Sequence, residues 1–100
     1  MVGVDLTTIS RFENLEEHTI KNILHVEEIK EYQKINSLNK AKYLATRWAI
    51  KEAIFKSDNN YSNFSKIKID KTPEGRYAFE NFKISTSNEG NLLIAFVVKI

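Results

Sequence analysis

The first hydrophobic pattern along the chain is a short alternation. Residues 2–6, VGVDL, place an apolar side chain at every second position, with Gly3 and Asp5 between them. Period two is typical of a strand with one buried face, so we predict a strand here. Next, Ser10-Arg-Phe-Glu13 has capping-box spacing and predicts the start of a short helix.

Helical periodicity dominates the next forty residues. The segment 24–36, LHVEEIKEYQKIN, has apolar positions on one side and charges on the other, which predicts an amphipathic surface helix. A longer helix should then run to about Ser57, with Ser37 or Asn39 as its N-cap. It has two apolar strips, one centred on Glu52 and one nearly opposite, so we expect it to be the central helix.

Strand patterns return after a polar, glycine-free loop. Residues 66–70, 76–82 and 91–100 are predicted strands, separated by turns at Thr72–Gly75 and Asn88–Asn91. The last strand is apolar on both faces, as in a central strand or one covered by a neighbouring subunit. The prediction is an α+β fold: one small domain, 1–100, with a long central helix packed on an antiparallel sheet.

Glu52 stands where an apolar residue is expected. At 100° per residue, several side chains of small or apolar type fall within about 60° of it. They are Leu38, Ala41, Ala45, Trp48, Ala49 and Phe55. Burying a bare carboxylate is costly, so Glu52 must be neutral, paired with a cation, or bound to a metal.

Composition and charge narrow the function classes. The chain has no cysteine, which excludes disulfides, a thiolate nucleophile and a cysteine zinc site. Neither a signal peptide nor an apolar run of membrane-spanning length is present, so we expect a cytoplasmic protein. Residues 37–57 carry 5 basic and 1 acidic side chains, whereas residues 1–36 carry 4 and 7. Charge alone favours a solvated helix face here, and the alternative is an acidic small molecule or acidic protein bound near the helix.

A second unusual carboxylate, Asp5, lies in the first strand. Gly3 precedes it on the same face, so a ligand or a backbone could approach there. Two converging carboxylates would suit Mg²⁺, and Arg47, Lys51 and Lys56 around Glu52 would suit a polyphosphate. The structural alternative is that Asp5 caps a turn and Glu52 pairs with its i+4 neighbour Lys56.

Other reaction classes have little support. His18 and His25 lie in charged segments and are expected to be surface histidines. The three glycines form no phosphate-binding loop, and no Ser/His/Asp arrangement exists.

Three segments together resemble the holo-acyl-carrier-protein synthases, and the resemblance covers essentially the whole chain. Gly3-Val-Asp5-Leu-x-x-Ile9-x-Arg11-Phe12 is similar to the family's opening motif. Leu44-Ala-Thr-Arg47-Trp-Ala-Ile-Lys51-Glu52-Ala53-Ile-Phe-Lys56 is similar to its most diagnostic one. Ile84-Ser85-Thr86-Ser87-Asn88 falls where the family has Ser-x-Ser-His before its last strand.

The resemblance implies a 4′-phosphopantetheinyl transferase, which moves the phosphopantetheine of coenzyme A to a serine of apo acyl carrier protein and releases adenosine 3′,5′-bisphosphate. It implies Asp5 and Glu52 as Mg²⁺ ligands, Asp5, Glu52 and Lys51 as catalytic residues, and Asp5 as a candidate to accept the serine proton.

The same resemblance assigns substrate and partner contacts. Lys51 and Lys56 would stabilise the phosphoryl group and the leaving bisphosphate, and Arg47 would bind the 3′-phosphate. Ser85 and Asn88 would contact coenzyme A, and Arg11 the carrier protein. A homotrimer with sites between subunits is implied, with no nucleic-acid or membrane partner.

The chain departs from the family pattern at three places. Asn88 stands where histidine is common, the loop 57–65 lacks the family's glycine, and Gly75-Arg76-Tyr77 replaces Gly-Lys-Pro. Two alternatives stay open. One is a small nucleic-acid-binding domain that uses the basic helix with Tyr77 and Phe79, and the other is an inactive relative.

Overall fold

The computed structural model describes residues 1–100. Strand β1 (Val2–Thr8) leads through a 3-10 turn (Ile9–Phe12) into three helices: α1 (Glu17–Ile23), α2 (Val26–Lys34) and α3 (Ser37–Ser57). A second 3-10 turn (Phe64–Lys66) precedes four strands: β2 (Asp70–Lys71), β3 (Tyr77–Ala78), β4 (Phe82–Glu89) and β5 (Leu92–Lys99). No helix combines the length and apolar character needed to cross a membrane.

The main sheet is antiparallel, with the order β1-β5-β4, and β2 and β3 form a separate hairpin. The predicted central position of the last strand is therefore confirmed. Its Leu93, Ala95 and Val97 are buried against α3, whose Ile50 and Ile54 are fully buried. The predicted α+β architecture, a long helix on an antiparallel sheet, is confirmed.

The first strand is confirmed, but the face it buries is the opposite of the one expected. Gly3, Asp5 and Thr7 point inward, and Val2, Val4 and Leu6 point outward. The apolar residues of β1 adjoin exposed Leu92, Ile94 and Phe96 of β5, so an apolar sheet face is open to solvent.

The helix starts differ from the predictions in detail. The Ser10 capping box does not form, because residues 9–12 make a 3-10 turn. Helix α2 is confirmed within 24–36, and His25 caps it in a box with Glu28. The cap of α3 is Asn36, whose side chain accepts a hydrogen bond from Asn39 N, rather than Ser37 or Asn39.

The strands after α3 also differ. In place of the predicted strands 66–70 and 76–82, the structure has only a short hairpin of two-residue strands, β2 and β3. Strand β4, over Phe82–Glu89, was not predicted. The expected turn at 88–91 narrows to Gly90 and Asn91, with Gly90 at φ 57°. A positive φ suits a two-residue hairpin loop between antiparallel strands.

Candidate active site

The candidate site lies at the contact between β1 and α3. A Cβ atom at Gly3 would stand 1.8 Å from the Ala53 carbonyl oxygen, so strand and helix backbones touch there. The close approach that Gly3 suggested in the sequence is therefore made by a backbone. Asp5 follows on the same inner face, and its carboxylate contacts Lys56 of α3.

The Asp5 side chain is buried, and only one of its two carboxylate oxygens has a hydrogen-bond donor. Its Oδ1 accepts a hydrogen bond from Lys56 Nζ at 3.0 Å, and the same ammonium donates to the Val4 carbonyl at 3.1 Å. Its Oδ2 is buried without a hydrogen-bond partner. The hydroxyl of Thr7, two residues further along the same face, is also buried and unpartnered. Buried oxygens without donors are unusual in proteins and often mark functional sites.

Glu52 is half-buried at the margin of the helix face rather than at the centre of a buried stripe. The stripe expected around it is uneven, because Ala45 and Ala49 are buried while Leu38 is 91% exposed. Burial and the nearby charge of Asp5 raise the pKa of Glu52, while the charges of Lys56 and Arg11 lower it. The fold therefore brings two carboxylates and two cations into one electrostatic neighbourhood.

The Asp5–Glu52 pair fits a divalent cation. The unpartnered Asp5 Oδ2 offers a donor atom, and a cation would relieve the repulsion between the two carboxylates. No cluster of three or more histidine, cysteine, aspartate or glutamate side chains exists. A metal here would therefore rest on two protein ligands, as is common for Mg²⁺ that keeps waters and binds substrate phosphates.

Arg11 is exposed at the edge of this neighbourhood. Its guanidinium lies 5.4 Å from the Phe12 ring centre and 5.1 Å from that of Trp48. Trp48 is one turn before Glu52 on α3, so stacking on it holds the Arg11 cation near the carboxylates.

Lys51 is not part of this group, which corrects its assignment as a catalytic residue. Its side chain is fully buried in an ion pair with Glu28, and its ammonium also donates to two backbone carbonyls. Burial lowers the pKa of Lys51, and the charge of Glu28 opposes that effect. An ammonium with all three protons engaged inside the core cannot reach a substrate phosphate.

Arg47 lies in a different cleft, on the side of α3 that meets the β2–β3 hairpin. Its guanidinium carbon is 4.0 Å from the centre of the Tyr43 ring and 5.2 Å from that of Tyr77. Its side chain is 8% exposed, and its Nε is buried without a partner. Lys42 and Lys71 also line this cleft, whose volume is about 380 Å³.

Ser85 and Asn88 are not brought to the carboxylates within one chain. Ser85 is exposed on β4, opposite Phe96, and lines an open cavity of about 460 Å³ with Arg76 and Tyr77. Asn88 is exposed near the β4–β5 hairpin, paired with Leu93. Any role of these two residues beside Asp5 and Glu52 requires a second copy of the chain.

The two histidines are remote from the site. His18 is exposed beside Glu16, and His25 is half-buried as the cap of α2. Sequence reasoning missed Thr7 and Glu28. The alternation Gly3, Asp5, Thr7 could have found the first, whereas no local signal marks the second.

Comparison with known proteins decides the family. The sequence model of the 4′-phosphopantetheinyl transferase superfamily matches residues 1–97. The chain is 54% identical over 100 residues to a holo-[acyl-carrier-protein] synthase of Mycoplasma mobile, covering 99% of this chain and 88% of that protein. The chain belongs to the holo-[acyl-carrier-protein] synthase family. The resemblance found in the sequence, and the assignment to an enzyme family, are confirmed.

Other members agree over the whole chain. A holo-[acyl-carrier-protein] synthase of Mycoplasmopsis pulmonis is 50% identical over 100 residues, which cover 100% of this chain and 90% of that protein. The Bacillus anthracis synthase, solved with CoA (3′,5′-ADP), superposes with TM-score 0.85 at 20% identity over 96% of this chain and 91% of that one. The Helicobacter pylori synthase, solved with coenzyme A, gives TM-score 0.77 at 24% identity over 98% of both chains. These structures establish the fold.

Proposed function

We propose that this protein transfers the 4′-phosphopantetheine group of coenzyme A to a serine of apo acyl carrier protein, releases adenosine 3′,5′-bisphosphate, and requires Mg²⁺. The main support is the Asp5–Glu52 pair, in which Asp5 Oδ2 has no hydrogen-bond partner. The chain that carries this pair is 50–54% identical to two proteins named holo-[acyl-carrier-protein] synthase. The serine oxygen would form the new bond to phosphorus as the bond to the leaving bisphosphate breaks.

Asp5 and Glu52 would hold the Mg²⁺ ion. When bound, the ion would neutralise charge on the diphosphate and help to align it for in-line attack. With Oδ2 assigned to the cation, the Asp5 carboxylate is also our candidate to accept the serine proton. Lys56 is half exposed and uses two of its three protons on Asp5 and Val4. The third could donate to a phosphate oxygen of coenzyme A.

The cleft around Arg47 suits the adenosine bisphosphate end of coenzyme A. Three cations, Lys42, Arg47 and Lys71, line the cleft and favour a phosphate there. Its volume of about 380 Å³ lies in the range of small-ligand pockets. We assign Arg47 to the 3′-phosphate on this basis.

Assembly and partner contacts complete the proposal. The exposed apolar face of β1 and β5, defined above, would become buried in a homotrimer. A neighbouring copy could then bring Ser85 and Asn88 to the coenzyme A bound by this one. Arg11 would attract an acidic surface of the carrier protein. We propose a cytoplasmic location, which the lack of cysteine fits.

The structure argues against the alternative of a nucleic-acid-binding domain, because the two aromatic rings that it would use are already packed. Tyr77 is half-buried against Arg47, and Phe79 packs with Tyr61 and Phe82 at ring distances of 5.7 and 6.0 Å. Neither ring is free to stack on a base, as single-strand binding would need.

The test is intact-mass spectrometry of an apo acyl carrier protein incubated with this protein, coenzyme A and Mg²⁺. We expect the carrier protein to gain one phosphopantetheine. EDTA should abolish the gain, and Asp5→Ala and Glu52→Gln should each slow it at least about a hundredfold. Glu74→Gln, at an exposed residue of the turn before β3, is the matched control and should react at the parent rate.

No gain with several carrier proteins, from a sample folded by circular dichroism, would overturn the proposal. That result would identify an inactive relative.

A further inference from the structure

The most deeply buried charges of the molecule lie behind the candidate site. Lys51 and Glu28 have no exposed side-chain surface, and Lys51 Nζ lies 2.5 Å from Glu28 Oε1. The same ammonium donates to the carbonyls of Ile23 at 2.8 Å and Phe64 at 3.0 Å. Glu28 also accepts from His25 N and from Ile69 N, each at 2.9 Å.

This network is complete and joins five segments. All three ammonium protons have acceptors, and both carboxylate oxygens have donors. Fully satisfied buried networks rigidify their surroundings, whereas a half-satisfied one is destabilising. The network therefore fixes one side of α3 to the end of α1, the start of α2, the second 3-10 turn and the chain leading into β2.

Glu52 is the next residue after Lys51. Neighbouring side chains on a helix are about 100° apart, so fixing the direction of Lys51 fixes that of Glu52. On the opposite side, the contact between Gly3 and Ala53 holds β1, and therefore Asp5, against the same turn of α3. The two contacts together set the rotation of the helix about its axis.

Small rotations of α3 would matter. A turn of about 20° moves a side-chain tip about 5 Å from the axis by about 2 Å. Functional groups must be held within about 0.5 Å of their working geometry. A loosened Lys51 would therefore separate Glu52 from the position at which it can share a cation with Asp5.

We propose that Glu28 and Lys51 are positioning residues that set the placement of Glu52 relative to Asp5. The activity part of this inference rests on the proposed transferase function, while its metal-binding part does not. Neither side chain contacts substrate or metal; both act through the orientation of α3.

The test uses the double variant Glu28→Gln/Lys51→Met, which removes both buried charges and keeps an acceptor oxygen at position 28. Glu27→Gln/Lys30→Met is the matched control. It makes the same substitutions in an exposed ion pair of 3.0 Å on the same helix α2. A second variant, Glu28→Asp, keeps the charge and shortens the side chain by one methylene.

Two readouts separate positioning from stability alone. The first is Mn²⁺ binding without coenzyme A, measured by electron paramagnetic resonance on protein that is folded by circular dichroism. The second is the division of the transfer rate into kcat and the KM for coenzyme A. We expect the Mn²⁺ Kd to rise at least fivefold and kcat to fall at least about tenfold, with KM within about twofold of the parent.

The outcomes are decisive in each direction. A folded double variant with Mn²⁺ affinity and kcat within about twofold of the parent would overturn the inference. If the double variant does not fold, Glu28→Asp is judged by the same two readouts, with the same directions expected. If the parent binds Mn²⁺ but transfers nothing, the proposed function fails, and Mn²⁺ affinity still decides the positioning role. A parent that neither binds Mn²⁺ nor transfers phosphopantetheine would overturn both.

Discussion

Replacing Gly3 by alanine tests the contact on which the candidate site depends. The added Cβ would meet the Ala53 carbonyl oxygen at 1.8 Å, the Ala53 carbonyl carbon at 2.8 Å and the Ser57 amide nitrogen at 3.0 Å. All three are backbone atoms of α3, so no side chain can rotate away. The strand and the helix must separate by more than about 1 Å to restore ordinary contact.

Overpacking a core costs about 1–3 kcal/mol, and a clash between two backbones belongs at the upper end. In a domain of this size, about 3 kcal/mol lowers Tm by about 12 °C or more, at about 4 °C or more per kcal/mol. The separation would also move Asp5 away from Glu52, so phosphopantetheine transfer should fall together with Tm.

The assay is thermal unfolding by circular dichroism at one protein concentration, because an oligomer's Tm depends on concentration. Gly90→Ala is the control. Its site is open, and its φ of 57° adds backbone strain without a clash, which costs about 1–2 kcal/mol. The reasoning would be refuted if Gly3→Ala lowered Tm by no more than Gly90→Ala does.

Three further predictions concern charge, assembly and helix capping. Burial and the charge of Asp5 raise the pKa of Glu52 in the folded protein above its ordinary value of 4.5. The protonated side chain therefore contributes stability below pH 4.5, and this contribution is lost as pH rises through the higher folded-state pKa. Glu52→Gln should therefore raise Tm at pH 7 in EDTA but not at pH 4, and a lower Tm at pH 7 would contradict this. Phe96→Glu should convert the proposed trimer into monomers in sedimentation equilibrium, while Leu38→Glu, at a position that is 91% exposed, should leave it intact; an intact Phe96→Glu trimer would exclude the β1–β5 face as the interface. Asn36→Ala should cost about 1 kcal/mol through loss of the α3 cap, and an equal loss in Ser37→Ala would argue against Asn36 as the cap.

The sequence predicted α2 and α3 because their periodic patterns are long, but it placed the short first helix at Ser10 and missed α1. It failed where the decision depends on what covers a surface. In β1, apolar and polar positions alternate clearly, as at Val4 and Asp5. The alternation cannot tell which face of the strand packs on α3, because a second copy of the chain could bury the apolar face. Strand β4 was missed because it lies at the sheet edge, where only Phe82 and Ile84 are buried.

The site was predictable in part, for a similar reason. Asp5, Glu52 and Lys56 lie in two short motifs, and the fold brings them together. Lys51 was assigned to the phosphates because it adjoins Glu52, yet its burial depends on Glu28, 23 residues earlier in the chain. A lysine within a basic helix carries no local sign that a distant carboxylate will hold it in the core.

The position of the metal is the most direct test of the account. Crystals grown with coenzyme A and Mn²⁺ would show the ion by its anomalous scattering. We predict one peak between the carboxylates of Asp5 and Glu52, in contact with the diphosphate, and its loss in Glu52→Gln. Bound coenzyme A with no peak there, or a peak held by other residues, would contradict the assignment of this pair as the metal ligands.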